Sequence, residues 1–161
     1  MSEAGNTLYT GGCQCGAVRF AIERLGRPSM CHCRMCQKAF GSIGGALVTA
    51  IGLTWTRGAP KIFQSSNKVQ RGFCADCGTP LTFAYPGGTE VAICAFDSPA
   101  AVPPVVQLAA EFRVPWADSL PGLPGRPASE TTSAAEYYAS IVSYQHPDHD
   151  TGHWPPKAET P

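Results

Sequence analysis

Seven of the chain's eight cysteines fall into three tight groups: Cys13-Gln14-Cys15, Cys31-His32-Cys33-Arg34-Met35-Cys36 and Cys74-Ala75-Asp76-Cys77. Two thiolates a few residues apart can reach one soft divalent ion from a single turn, and a distant pair then completes the tetrahedron. A closed structural zinc takes four protein ligands, whereas a catalytic zinc keeps three and an open position. Seven sulfurs thus divide into one closed site and one open one. Cys74 and Cys77, with Gly78 directly after, are the most specific local signal. The backbone wraps the metal, N–H groups point at sulfur, and glycine relieves the crowded conformation after the second ligand. Cys13 and Cys15, followed by Gly16 at the opening of a strand, are the natural partner pair. Cys13, Cys15, Cys74 and Cys77 therefore read as a structural site whose binding energy becomes folding energy. Cys31, Cys33 and Cys36 remain on one short segment, with room for an exogenous fourth ligand. A small-molecule thiol is a soft ligand of the right kind, and binding would hold it as thiolate near neutral pH. Arg34 and Lys38, four apart on the same segment, would stand near an anionic substrate.

Two other uses of cysteine compete with metal. Eight is an even number, so a disulfide framework is conceivable, but 161 residues exceed the usual small secreted scaffold. A Cys-x-x-Cys redox pair needs only one of the three groups. Met1 to Gly5 has no basic start or apolar run of the secretory kind, and no stretch nears the roughly twenty apolar residues of a membrane span. The expectation is a soluble, cytoplasmic protein, in a reducing compartment that favours metal over disulfide. A net charge of zero advertises neither nucleic acid nor an anionic membrane as partner.

The elements that must position these sulfurs are mostly strands. Ala17 to Ile22 alternates; Gly45 to Ile51 and Leu53 to Thr56 are divided by a glycine. Lys61 to Gln64, Lys68 to Phe73, Leu81 to Tyr85, Glu90 to Phe96 and Val105 to Ala109 follow, with Pro86-Gly87-Gly88 as a strong turn. The pattern predicts a mostly β, antiparallel domain with few short helices. Cys33 to Phe40 predicts a short helix stopped by Gly41, and Pro99 to Ala101 a single turn after Asp97 or Ser98. Proline and glycine crowd residues 116–129. Ser133 to Glu136 then matches a capping box, with Tyr137, Ile141 and Tyr144 at helical spacing, so a short helix is expected near 134–144. From His146 onward a frayed tail is expected.

In combination, Gly12-Cys13-Gln14-Cys15-Gly16-Ala17-Val18-Arg19, Cys31-His32-Cys33-Arg34-Met35-Cys36-Gln37-Lys38 and Gly72-Phe73-Cys74-Ala75-Asp76-Cys77-Gly78-Thr79-Pro80-Leu81 strongly resemble the glutathione-dependent formaldehyde-activating family, which includes the centromere protein V type. The likeness runs from about Tyr9 to about Trp116, with Asp97 and Pro99 in it. It implies an Mss4-like β fold over residues 8–117 and leaves 118–161 as a Pro/Gly-rich extension. It also implies two zinc ions, a structural one on Cys13, Cys15, Cys74 and Cys77 and a catalytic one on Cys31, Cys33 and Cys36. The implied activity joins formaldehyde and glutathione as S-hydroxymethylglutathione, formally a carbon–sulfur lyase reaction. The alternative is a non-catalytic zinc scaffold, its C-terminal helix a docking element.

Other residues read more plainly. Cys94 departs from the small residue usual in such relatives and reads as a buried apolar thiol, with a resolving thiol or a remote metal ligand as the alternative. His32 is expected to turn away from its flanking cysteines. His146, His149 and His153 read as solvated. Arg19, Lys68 and Arg71 read as exposed strand charges, with substrate contact as the alternative, and Trp55 and Phe63 as core. Phe40, Gly41 and Ser42 stand where they could line a pocket. Oligomeric state is not legible.

Overall fold

The computed structural model describes residues 8–154. Residues 8–113 and 145–154 form one compact unit, and Val114–Tyr144 a second.

The first unit is built on one eight-stranded sheet. Its strands are β1 (Tyr9–Gly12), β2 (Arg19–Cys31), β3 (Gly45–Arg57), β4 (Lys61–Gln64), β5 (Gln70–Phe73), β6 (Pro80–Tyr85), β7 (Gly88–Ala92) and β8 (Val106–Leu108). They are ordered β1-β2-β3-β7-β6-β5-β4, and all these pairs are antiparallel. The mostly β expectation therefore holds, with one exception: β8 pairs parallel with the far end of β2, Ser29 to Cys31. A single helix, α1 (Arg34–Phe40), joins β2 to β3. Cys33 caps its start and Gly41, left-handed at φ 58°, ends it.

β2 runs well past Ile22, where its sequence pattern breaks. Gly26 and Pro28 look like terminators, yet a register shift between Leu25 and Pro28 absorbs them as a bulge within the long β2–β3 ladder. Gly52 likewise does not split β3. It sits at φ 72°, and a Cβ there would fall 2.6 Å from the Glu23 carboxylate. β1 had no strand signal, because its Gly11 and Gly12 are poor strand formers. A Cβ on Gly11 would come 2.3 Å from the Ala95 carbonyl oxygen, so glycine is what lets β1 lie against the 93–96 segment. The end of the expected Glu90–Phe96 strand is instead a 3₁₀ turn, Ile93–Ala95.

The core is Phe20, Ile22, Val48, Leu81 and Val91, all with no exposed surface, with Phe96 and the cysteines Cys13 and Cys74 joined to it. Phe96 meets the Phe20 ring edge-to-face at 5.3 Å, and Trp55 meets it at 6.2 Å. Trp55 thus packs on the core as expected. Phe63 does not: on β4, at the sheet's edge, it is 60% exposed.

Arg19 is no exposed strand charge. It is 3% exposed and forks onto Asp97 with two hydrogen bonds of 2.7 Å. It also donates to Asp150 Oδ1 at 2.6 and 3.1 Å. Thr10 donates to Asp97 at 2.6 Å. Asp150 belongs to the segment expected to fray. Residues 145–154 instead lie on this unit: the His146 N–H donates to the Gln14 carbonyl at 2.8 Å, and Arg57 donates to the Thr151 carbonyl and hydroxyl. Proline-rich composition hid two arginine anchors that only the fold brings near. Residues 155–161, the rest of that expected tail, lie outside the described residues.

In the second unit, 3₁₀ turns span Pro115–Gly122 and α2 spans Ala128–Ala139. The helix starts after Pro127, not at the Ser133–Glu136 box, whose Ser133 hydroxyl donates within the helix to the Glu130 carbonyl. Ile141 and Tyr144 lie beyond its end and are exposed. No described helix is long and apolar enough to cross a membrane.

Removing one partner of a buried ion pair costs about 3–5 kcal/mol. Arg19→Leu should lose stability of that order in denaturant melts. Burial would raise the Asp97 pKa, but hydrogen bonds from Arg19 and Thr10 outweigh it and hold the carboxyl below its usual range. Its stabilising effect is therefore present above about pH 4 and fades as pH falls through the lowered value. The stability gap between wild type and Asp97→Asn should narrow on acidification below about pH 4.

Candidate metal centres

Two chain reversals, closely alike, bring four sulfurs together. After β1, the Cys13 N–H donates to the Val18 carbonyl at 2.9 Å and the Gly16 N–H to the Cys13 carbonyl at 3.0 Å. Between β5 and β6, the Cys74 N–H donates to the Thr79 carbonyl at 2.9 Å and the Gly78 N–H to the Cys74 carbonyl at 3.0 Å. Gly16 and Gly78 are both left-handed, at φ 75° and 77°, where a side chain would be strained. The Gln14 N–H joins the two turns through the Thr79 hydroxyl at 3.0 Å.

The Cys13, Cys15, Cys74 and Cys77 sulfurs all lie within 4.8 Å of one another. Cys15 Sγ is 3.6 Å from Cys13 Sγ and 3.7 Å from Cys74 Sγ. The Val18 N–H donates to Cys13 Sγ at 3.2 Å. Burial pushes the Cys15 thiol up to about 12 and raises that of Cys74 as well. At Cys77 burial acts the same way, but hydrogen bonds from the Thr79 hydroxyl and N–H and from Cys15 outweigh it and bring the thiol down to about 6. Four soft donors at this spacing, with N–H groups aimed at them, fit a tetrahedral divalent ion.

The second cluster is Cys31, Cys33 and Cys36, also within 4.8 Å. Cys31 ends β2; Cys33 caps α1, its sulfur accepting the Cys36 N–H at 3.4 Å; Cys36 is the helix's 1%-exposed residue. Burial raises the thiols of Cys31 and Cys36, the latter to about 12. At Cys33, N–H and thiol hydrogen bonds from Cys36 overcome burial and lower it. Three soft donors on one turn fit the same kind of ion, with fewer protein ligands.

His32, between two of these cysteines, is buried. Its Nε2 lies 3.0 Å from Gln107 Oε1 on β8, and its Nδ1 has no partner. The Gln37 amide donates to the His32 and Phe112 carbonyls at 2.8 and 2.9 Å, tying α1 down. Arg34 and Lys38 are exposed on α1. His146, expected to be solvated, is buried, and its ring contacts Thr151 and Trp154.

Arg71, expected as an exposed strand charge, is buried. It is 7% exposed on β5, and its Nη2 donates to Cys36 Sγ at 3.5 Å. Its Nε donates to Ser65 Oγ at 3.1 Å, and its guanidinium lies 5.0 Å from the centre of the Phe83 ring. Strand alternation does place Arg71 and Phe73 on one face just before Cys74, but nothing local says which face meets α1. Cys94 reverses its expectation too. It is exposed on the 3₁₀ turn after β7 and belongs to neither cluster.

Among known proteins, the family described as glutathione-dependent formaldehyde-activating enzyme matches residues 8–111. A crystal structure of a Rhodobacter sphaeroides protein is similar at 22% identity and a TM-score of 0.49, covering 61% of this chain and 98% of that one.

Alkylation of the reduced chain should separate the cysteines. With metal bound, Cys94 should label while the seven clustered thiols are protected. After chelation, Cys77, at about 6, should react at neutral pH well before Cys15, at about 12. Peptide mass mapping reads the order; protection of Cys94 with the seven clustered thiols left open would contradict it.

Proposed function

Because the chain belongs to the glutathione-dependent formaldehyde-activating enzyme family, we propose that it is a zinc-dependent enzyme making or breaking a carbon–sulfur bond on a small thiol such as glutathione. Cys13, Cys15, Cys74 and Cys77 would hold a structural zinc, and Cys31, Cys33 and Cys36 a catalytic one. One observation carries this reading: among the described residues, no fourth Cys, His, Asp or Glu joins Cys31, Cys33 and Cys36. His32, the nearest candidate in sequence, is instead engaged by Gln107.

A zinc ion there would supply Lewis acidity and lower the pKa of a thiol that takes the remaining position. The chain's own part is positional and electrostatic. Three thiolates and a dication leave one net negative charge, and the Arg71 guanidinium against Cys36 offsets it. Capping of α1 by Cys33 and the Gln37 ties keep the three sulfurs in one arrangement, so little reorganisation accompanies binding. The arriving sulfur then adds to formaldehyde: a C–S bond forms, the carbonyl π pair moves to oxygen, and a proton from solvent completes the hydroxymethyl group. Release runs the same steps backwards.

Cys33→Ser and Cys36→Ser should lower bound zinc from about two to about one per chain while the fold persists. Glutathione binding, read by calorimetry, should disappear with the lost metal. Collapse of the fold would mark both centres as structural and the chain as a scaffold.

A further inference from the structure

A cavity of about 240 Å³ that formaldehyde does not need opens against Ala39 and Phe40 of α1 and against Arg71, whose Nη2 touches Cys36; none of the three sulfurs lines it. Its walls are Phe40, Phe63, Phe73, Pro80 and Thr82, and one cation, Arg71, reaches it. Cys36, Ala39 and Phe40 lie at i, i+3 and i+4 on α1, so the helix face that carries the sulfur continues as the cavity wall. Arg71 spans the same step. Its Nη2 is on Cys36 and its Nε on Ser65, which leaves Nη1 without a protein partner among the described residues but open to water. A guanidinium fixed in this way, with one N–H group open to water at an aromatic cavity and the helix of the three-sulfur centre next to it, is a site for an oxygen that gains negative charge.

We propose that this cavity is the subsite for an aldehyde with an apolar, aromatic-sized body, and that Arg71 receives its carbonyl oxygen. The proposal rests on the thiol-binding reading of the Cys31, Cys33 and Cys36 centre and names its second substrate. The thiolate attacks the carbonyl carbon; the C–S bond forms as the C=O π bond breaks. The electron pair settles on oxygen, where Arg71 Nη1 donates to it, and a solvent proton then yields the neutral hemithioacetal. No electrons are gained or lost overall. The apolar body packs against Phe40, Phe63 and Phe73 and removes their faces from water. This accounts for Phe63, which is 60% exposed at the sheet's edge with no core to join.

Benzoate is a non-reacting probe with the same aromatic body and an oxygen charge for Arg71. It should bind the metal-loaded protein, seen by ligand-observed NMR and calorimetry, whereas acetate, which lacks the body, should not compete. Phe63→Ala, an exposed edge position, should weaken benzoate three- to tenfold. Arg71→Lys keeps the charge but loses the fork, and should weaken benzoate about tenfold. With glutathione as the thiol, kcat/KM should favour benzaldehyde over formaldehyde in wild type. Phe63→Ala should move that ratio about tenfold toward formaldehyde, and Arg71→Lys should slow benzaldehyde addition about 10²-fold. Absence of benzoate binding, or an aldehyde ratio untouched in Phe63→Ala, overturns the proposal. If glutathione binds but benzoate does not, the cavity assignment falls and the thiol reading stands. If benzoate binds through Arg71 and Phe63 but glutathione does not bind, the cavity stands as an apolar anion site and the thiol reading falls.

Discussion

Ionised sulfurs repel, and this chain crowds seven of them into two small volumes. Cys15 lies 3.6 and 3.7 Å from two other sulfurs of its cluster. Such crowding survives only if the sulfurs stay protonated or share a cation. Burial drives most of these thiols toward the protonated form, while N–H groups, Thr79 and Arg71 favour the ionised one. A divalent ion in each cluster would resolve the conflict by binding the ionised form of its sulfurs at once. Much else follows from it. β1, the β5–β6 turn and the Phe20–Phe96 core meet around Cys13 and Cys74, which are themselves core residues.

The remaining polar chemistry answers the charges that the fold buries. Arg19 is enclosed, so it takes two carboxylates, and one of them, Asp150, comes from far along the chain. That contact and the hydrogen bond from His146 to Gln14 press residues 145–154 onto the turn holding Cys13 and Cys15. Gly16 is part of the same fit, because a Cβ there would meet the His146 ring at 2.3 Å. Arg71 repeats the pattern at the other centre, spending donors on Cys36 and Ser65 and its flat face on Phe83. A buried arginine without such partners would cost several kcal/mol.

Much of the fold could be read from local pattern. β4 and β6 stand almost where alternation and turn residues put them, and α1 begins and ends at Cys33 and Gly41. The failures have specific causes. β2 and β3 are longer than their patterns because a bulge tolerates Gly26 and Pro28, and left-handed Gly52 continues the ladder. β1 was invisible because a close backbone approach, not side-chain preference, selects its glycines. β8 is a strand where Val105 to Ala109 was expected, but its parallel pairing with β2 across five intervening strands is nothing that alternation encodes. The capping box at Ser133 lost to an earlier start after Pro127, in a unit with no buried helix residue to hold the later register.

Spacing alone made each cysteine group legible, because two or three sulfurs within one turn is a local property of the backbone. Local pattern also carried most of the strands, since period-two alternation needs only neighbours. Tertiary structure decided the rest. It enclosed Arg19 and Arg71, exposed Cys94 and Phe63, and drew in residues 145–154. Each of these depends on which surfaces meet across long stretches of chain. Meeting surfaces set burial, and burial determines whether a charge needs a partner or a thiol stays neutral.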